Sequence, residues 1–373
     1  MELETARFSV ARIARPDVGI SRSAKREFRA VSSQTGLRSW QPEVFFLDAR
    51  DLDSLSAYVV KRGWIGKQER VLSAVPAGEG NMNYTLRIGT SQRTFVMKQA
   101  RPWVEKYPQI AAPWDRALME AQFYTAIQAD RSIAVYMPGL LGFDPDARIL
   151  VLEDFGAAPD FTHVYRDRSI SSAEIESLTG FLVRLHSRFR NANVAGAFAN
   201  TEMRKLNHEH IFEFPLRPEN GLNLDGITPG LAGPARKLQQ DPAYRNRVAA
   251  LGDLYLGAGQ CLIHGDYFPG SWLGTSQGVR VIDPEFCFFG RPEFELGVMI
   301  AHLHLALCPA ELGEDVIKIY RTAGAVTDLD LTRQFVGVEI MRRLIGVAQL
   351  PLPYGLEEKQ RLLEMSYRMV TGA

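Results

Sequence analysis

Two carboxylates at the ends of short apolar runs are the residues of this 373-residue chain best suited to chemistry. Asp266 ends His264-Gly265-Asp266 after the run Cys261–Ile263, and Asp283 begins Asp283-Pro284-Glu285 after the run 279–282. If the two runs are neighbouring strands, both acids reach the same edge of one cleft. One carboxylate can then orient an attacking hydroxyl and accept its proton. The other can hold a magnesium ion that neutralises phosphates, which is the division of labour of phosphoryl transfer. Acids serving only as turn residues would give the same letters, but would not explain why each follows a buried-type strand.

The spacing extends the pattern. Protein kinases carry H-R-D-x-x-x-x-N, a base followed five residues later by a metal-binding Asn, and then the Asp of D-F-G. Here Ser271 stands five residues after Asp266, and Glu285 lies two beyond Asp283. The stretches HGDYFPGSWL and VIDPEFCFFGRPEFELG resemble the kinase-like small-molecule phosphotransferases, the group of the aminoglycoside and choline kinases. Within that group they are most similar to the methylthioribose kinase branch, whose pattern is HGDLHTGS followed by IDPEFAFYGPxGFDxG. A serine at Ser271 and the D-x-E of Asp283 and Glu285 are traits of that branch. A hydroxyl is a poorer magnesium ligand than an amide carbonyl, and a second carboxylate compensates. Tyr267-Phe268-Pro269 departs from Leu-His-Thr, and Glu295 stands where the branch has Asp. Both departures lie beside the acceptor, so they bear on the substrate more than on the reaction.

The elements upstream must bring nucleotide to these acids. A strand-like run at 70–75 leads into Gly78-Glu79-Gly80-Asn81-Met82-Asn83, and strands at 84–88 and 94–97 follow, the last ending at Lys98. A glycine turn between antiparallel strands can lie over phosphates, because backbone N–H groups approach without a Cβ in the way. The resemblance implies nucleotide binding at Gly78, Gly80, Asn81 and Asn83, with Lys98 on the α- and β-phosphates. A kinase lysine needs a partner acid. An expected helix at 113–128 supplies Glu120 first and Asp115 second, while an intrahelical pair of Glu120 with Arg116 is the plainer alternative. Strands at 139–143 and 149–152 lead to Glu153-Asp154-Phe155-Gly156, which in a two-lobed kinase is the hinge that binds the adenine edge; an acidic turn before a helix is the plainer alternative.

The remainder reads as helical. Ser171 with Glu174 looks like helix-start chemistry, and His186 reads as a buried residue. Asn207-His208-Glu209-His210 reads as structural, because no cysteine or further histidine pair accompanies it. One helix is expected at 235–256. Another, at 294–307, carries His302 and His304, which point to different faces and so make no ligand pair. A last helix is expected at 329–349, with Arg342 on its apolar face and Arg343 pairing with Glu339 on the surface. The branch has an Arg-Arg pair in such a helix, in the pattern RRxxGLA, and the resemblance implies substrate contact by Arg342 and Arg343.

Composition bounds the rest. Lys+Arg and Asp+Glu are both 43, so no basic surplus points to nucleic acid or an anionic membrane. Three cysteines in apolar surroundings fit a reduced, cytoplasmic protein better than a disulfide framework. Residues 1–43 are Arg- and Ser-rich without periodicity and are expected to be a poorly ordered extension.

The expected fold is α+β, two-lobed and protein-kinase-like. A small β-rich N-lobe spans 44–152, a hinge 153–156 and a larger helical C-lobe 157–373. ATP is expected between the lobes, Mg2+ on Asp283, Glu285 and Ser271, and Asp266 as the base. The resemblance implies a sugar or alcohol acceptor, methylthioribose at its anomeric hydroxyl within methionine salvage. Other sugars, amino alcohols, aminoglycosides and a nucleotide-binding pseudokinase are the alternatives, and a homodimer is left open.

Overall fold

The computed structural model describes residues 44–78, 82–192 and 195–373. The extension expected at 1–43 lies outside them, as do Gly80 and Asn81. Helix α1 (Leu52–Lys61) starts where Asp51 accepts the Ser54 N–H, so its first orphan donors are met by a short acid. A five-stranded antiparallel sheet follows, built from β1 (Val71–Pro76), β2 (Asn83–Thr90), β3 (Thr94–Ala100), β6 (Leu140–Asp144) and β7 (Ile149–Glu153). Their spatial order is β1-β2-β3-β7-β6. A small ribbon of β4 (Trp103–Val104) and β5 (Tyr107–Ala111) lies between β3 and helix α2 (Arg116–Gln128).

Strand β7 shows how the sheet divides two cores. Side chains alternate between faces along a strand. Ile149 and Val151 therefore enter a small core with Leu55, Val59, Leu86 and Met97. Leu150 and Leu152 face the other way, into a large core shared by Phe123 and Tyr124 of α2 and by the helical part of the chain.

The first long helix of that part is α3 (Ser172–Arg188), where Ser171 and Glu174 form a reciprocal capping box. The single helix expected at 235–256 is two, α4 (Ala232–Gln240) and α5 (Pro242–Leu256). Asp241 caps the second, and Pro242, which has no N–H to donate, occupies its first position. Helix α6 (Pro292–Leu305) is buried nearly throughout. It packs against α8 (Leu329–Ile345), with α7 (Glu311–Thr322) between them in sequence and α9 (Leu356–Thr371) closing the chain. Helix α8 stops at Gly346, short of the expected 349.

The central stretch differs from expectation in its pairing. Strand β8 (Cys261–Ile263) and the run ending in Asp283 are not partners. β8 pairs with β11 (Phe288–Gly290), while β9 (Trp272–Thr275) pairs with β10 (Gly278–Val281). Cys261, Cys287 and Cys308 are free and buried. Among the described residues no helix is long and apolar enough to cross a membrane.

Candidate active site

Although β8 and β10 belong to different ribbons, one histidine ties their ends together. His264 donates from Nε2 to the carbonyl of Ile282 at 2.8 Å, and its Nδ1 accepts the Asp266 N–H at 3.4 Å. Ser271 completes the tie: its hydroxyl donates to the Asp266 carbonyl at 2.9 Å, and its own carbonyl accepts the Ile282 N–H at 2.9 Å. The loops bearing Asp266 and Asp283 thus share backbone partners. The Ser271 hydroxyl proton is committed to this closure, leaving only lone pairs for any ion.

Lys98 projects from β3 to the same place. Its ammonium lies 2.7 Å from Glu120 and 2.8 Å from Asp283 and is 3% exposed. Burial alone would push the ammonium down, but the charges of Asp283, Glu120 and Glu285 overrule it and hold its pKa up. Burial pushes the Glu120 carboxyl up, with the Lys98 charge opposing. The second candidate, Asp115, pairs instead with Arg148 at 2.7 Å on the surface. Asp283 has left-handed backbone geometry, φ 66°, a conformation Asp tolerates better than most residues. Its side chain remains 49% exposed beyond Lys98.

Arg116 is not the surface partner of Glu120. It is buried, and its Nε donates to Asn83 Oδ1 at 2.9 Å and lies 3.2 Å from Glu285. Its terminal nitrogens donate to the carbonyls of Arg101, Pro113 and Met82. Asn83 also donates to Glu285, at 3.0 Å. Glu285 is therefore held from the β2 end of the glycine turn. Gly78, at the other end, has φ +85°, which a side chain would strain.

The side chains of the expected hinge are used locally. Both Asp154 oxygens accept from Arg87 at 3.0 Å, Glu153 accepts the Gly139 N–H, and the ring of Phe155 lies 5.5 Å from the Arg280 guanidinium. Recognition of an adenine edge here would fall to backbone groups.

Asp266 faces α8. Arg342 and Arg343 place terminal nitrogens 3.7 Å and 3.6 Å from its Oδ1. Burial raises the Asp266 carboxyl above its ordinary range, and the two guanidiniums oppose that rise. Glu339 is not on the surface as expected but 1% exposed, accepting from Arg342 Nε at 2.5 Å and Arg343 Nε at 2.7 Å. Burial alone would raise its carboxyl; the two guanidiniums and His302 overrule that and hold it well below the usual range. His302 joins Glu339 at 3.1 Å and the Tyr165 hydroxyl at 2.6 Å. Nearby, His210 sits on a π-helical turn, Glu209–Glu213, where burial pushes its imidazole down to about 4. Its neighbour Asn207 donates to the Tyr255 hydroxyl.

Glu295 is a site residue that the motifs alone did not flag beyond its departure from the pattern. Its carboxylate accepts the N–H groups of His264 at 3.0 Å and Gly265 at 2.8 Å, and His186 at 2.9 Å. The other nitrogen of His186 meets the Tyr320 hydroxyl at 3.0 Å. Its signal was an acid in an apolar-all-round helix, which must be buried and must therefore find partners.

A magnesium ion prefers one or two carboxylates, several waters and the substrate's phosphates. Asp283, half exposed beside Lys98, fits that habit. Among the described residues no three His, Cys, Asp or Glu side chains converge to hold a metal ion by themselves.

Comparison with known proteins places the chain in a family. Residues 73–331 match the phosphotransferase enzyme family. The chain is 29% identical to a methylthioribose kinase of Cronobacter sakazakii over 275 residues, 69% of this chain and 66% of that one. It is 24% identical to the methylthioribose kinase of Exiguobacterium sibiricum over 327 residues, 77% of this chain and 82% of that one. The chain thus spans just under two thirds of the Cronobacter relative's length. In three dimensions it is similar to LicA, whose crystal structure is in complex with AMP. The TM-score is 0.50 at 15% identity, over 86% of this chain and all of that one.

Proposed function

Since the chain belongs to the phosphotransferase enzyme family, we propose that it is an ATP-dependent kinase of a small sugar, and that 5-methylthioribose is the acceptor, phosphorylated at its anomeric hydroxyl. The observation that carries the reading is the meeting of three groups at Asp266: the carboxylate itself and the ends of Arg342 and Arg343, 3.7 and 3.6 Å away. A cationic acceptor such as choline or an aminoglycoside would meet two guanidiniums; a neutral sugar would meet donors for its hydroxyls.

In this reading Asp266 accepts a hydrogen bond from the acceptor hydroxyl and takes its proton as the γ-phosphoryl group moves across. Lys98, fixed by Glu120, neutralises the phosphates. Gly78 and Asn83, at the two ends of the glycine turn, lie toward the phosphates, and the backbone of Glu153, Asp154 and Phe155 meets the base. Asp283 would hold magnesium, with Glu285 and Ser271 as the further expected ligands, and the ion would supply charge neutralisation on the phosphates. Positioning and charge compensation are the protein's main contributions, because a phosphoryl group in flight is loosely bonded and anionic. The kinship with methylthioribose kinases supports the choice of acceptor and, with it, a place in methionine salvage.

An ADP-release assay over methylthioribose, other pentoses, choline and aminoglycosides tests the reading. Saturable turnover with methylthioribose alone is expected. Saturation by choline or an aminoglycoside instead would overturn the acceptor, and no ADP release with any of them would leave a nucleotide-binding protein.

A further inference from the structure

We infer that Glu339, backed by His302 and Tyr165, is a positioning residue that holds the arginine pair off the base and open toward the acceptor. The inference rests on the kinase reading above. Three residues restrain the guanidiniums. Glu339 takes the Nε–H of Arg342 and of Arg343 at 2.5 and 2.7 Å. Phe268, two residues after Asp266, packs its ring 4.6 Å from the Arg343 guanidinium. Arg343 Nη1 also reaches the Ala348 carbonyl at 3.4 Å.

What is left over faces the base. The distances of 3.7 and 3.6 Å from the Arg342 and Arg343 terminal nitrogens to Asp266 are beyond hydrogen-bond length. That spacing matters chemically. Arginine and carboxylate left to themselves close into a two-bonded fork, which would occupy the lone pairs Asp266 needs for the acceptor proton. Glu339 competes for the same cations through their Nε–H groups, so the Nη2 groups that face Asp266 remain available to acceptor oxygens while Asp266 stays accessible.

The support behind Glu339 is directional. The His302 Nε2–H donates to Glu339 at 3.1 Å, and its Nδ1 accepts the Tyr165 hydroxyl at 2.6 Å. His302 and Glu339 are 0% and 1% exposed, so neither water nor salt can substitute. One packed chain thus runs from Tyr165 through α6 to α8 and ends at the acceptor side of Asp266.

Glu339→Gln keeps the shape and removes the charge. It is expected to raise the acceptor KM about tenfold or more and to lower kcat, with the ATP KM within about twofold. Two further variants serve if it does not fold. His302→Gln retains an amide donor where Nε2 stands, and His302→Leu does not, so the Leu variant should lose about tenfold in acceptor kcat/KM and the Gln variant should recover most of it. Wild-type turnover is measured first over the same set of acceptors, and the variants are compared on the one that saturates; ADP release with none of them refutes the kinase reading, not the role of Glu339. With an active wild type, the role is refuted by a folded Glu339→Gln whose acceptor kinetics are unchanged. It is equally refuted by parallel changes in the acceptor and ATP KM, or by equal losses in His302→Gln and His302→Leu.

Discussion

Burial raises the Asp266 carboxyl, and Arg343 and Arg342 pull it back toward the ordinary range. As the proposed base, Asp266 must be ionised, so activity should be lost as pH falls through that raised value. Removing a lowering charge moves the loss further up, and Arg343→Met should therefore shift the acidic limb of the kcat/KM profile to higher pH, measured with saturating ATP. Asp266→Asn should cost about 10²–10⁴-fold in kcat with nucleotide affinity by calorimetry kept within about twofold. At this scale the sequence was most readable where a side chain sits in a short motif. That Lys98 meets Asp283, and that the loops of Asp266 and Asp283 are tied together, could be expected because the flanking residues form a motif. Glu339 could not be placed in the interior, because its i+4 arginine offered a sufficient surface explanation. What decides its burial is the packing of α8 on α6, which no local pattern contains.

The loop that bears Asp266 depends on backbone geometry as much as on its acids. Gly265 has φ +87°, and a Cβ there would lie 2.2 Å from the Phe286 carbonyl oxygen. Gly265→Ala should destabilise by roughly 3 kcal/mol, seen as a lower midpoint in denaturant, and should abolish turnover. Glu295 anchors the same loop through two backbone N–H groups. Glu295→Ala leaves both unsatisfied, so it should cost about 3–5 kcal/mol, with kcat falling further than the ATP KM rises. Long elements were legible: α1, α2, α3 and the five strands of the main sheet start within a few residues of where the sequence puts them. Strands β9 and β11 were not, because four- and three-residue runs set among Pro and Gly have too little period to read. Asp241-Pro242 did carry a readable signal for the break between α4 and α5, since a capping acid followed by proline starts a helix.

Across the whole molecule, acid should weaken the fold through its buried imidazoles. Burial pushes His302 from 6.5 down to about 4, with the Glu339 hydrogen bond opposing. Between those values the unfolded chain binds the proton and the native one does not, so stability falls as pH drops through that window and is unaffected by this group above it. The loss is about 3 kcal/mol when complete. Thermal midpoints taken from pH 7 to pH 4 should show the decline, and His302→Gln should flatten it. Arg116 has a consequence of another kind. One guanidinium joins the segment after β3, the start of α2, the far end of the glycine turn and the acid at Glu285. These pieces cannot be re-engineered one at a time. A library that diversifies the turn alone will be filtered by a residue some thirty positions downstream, so productive variants should arise only where both regions change in concert.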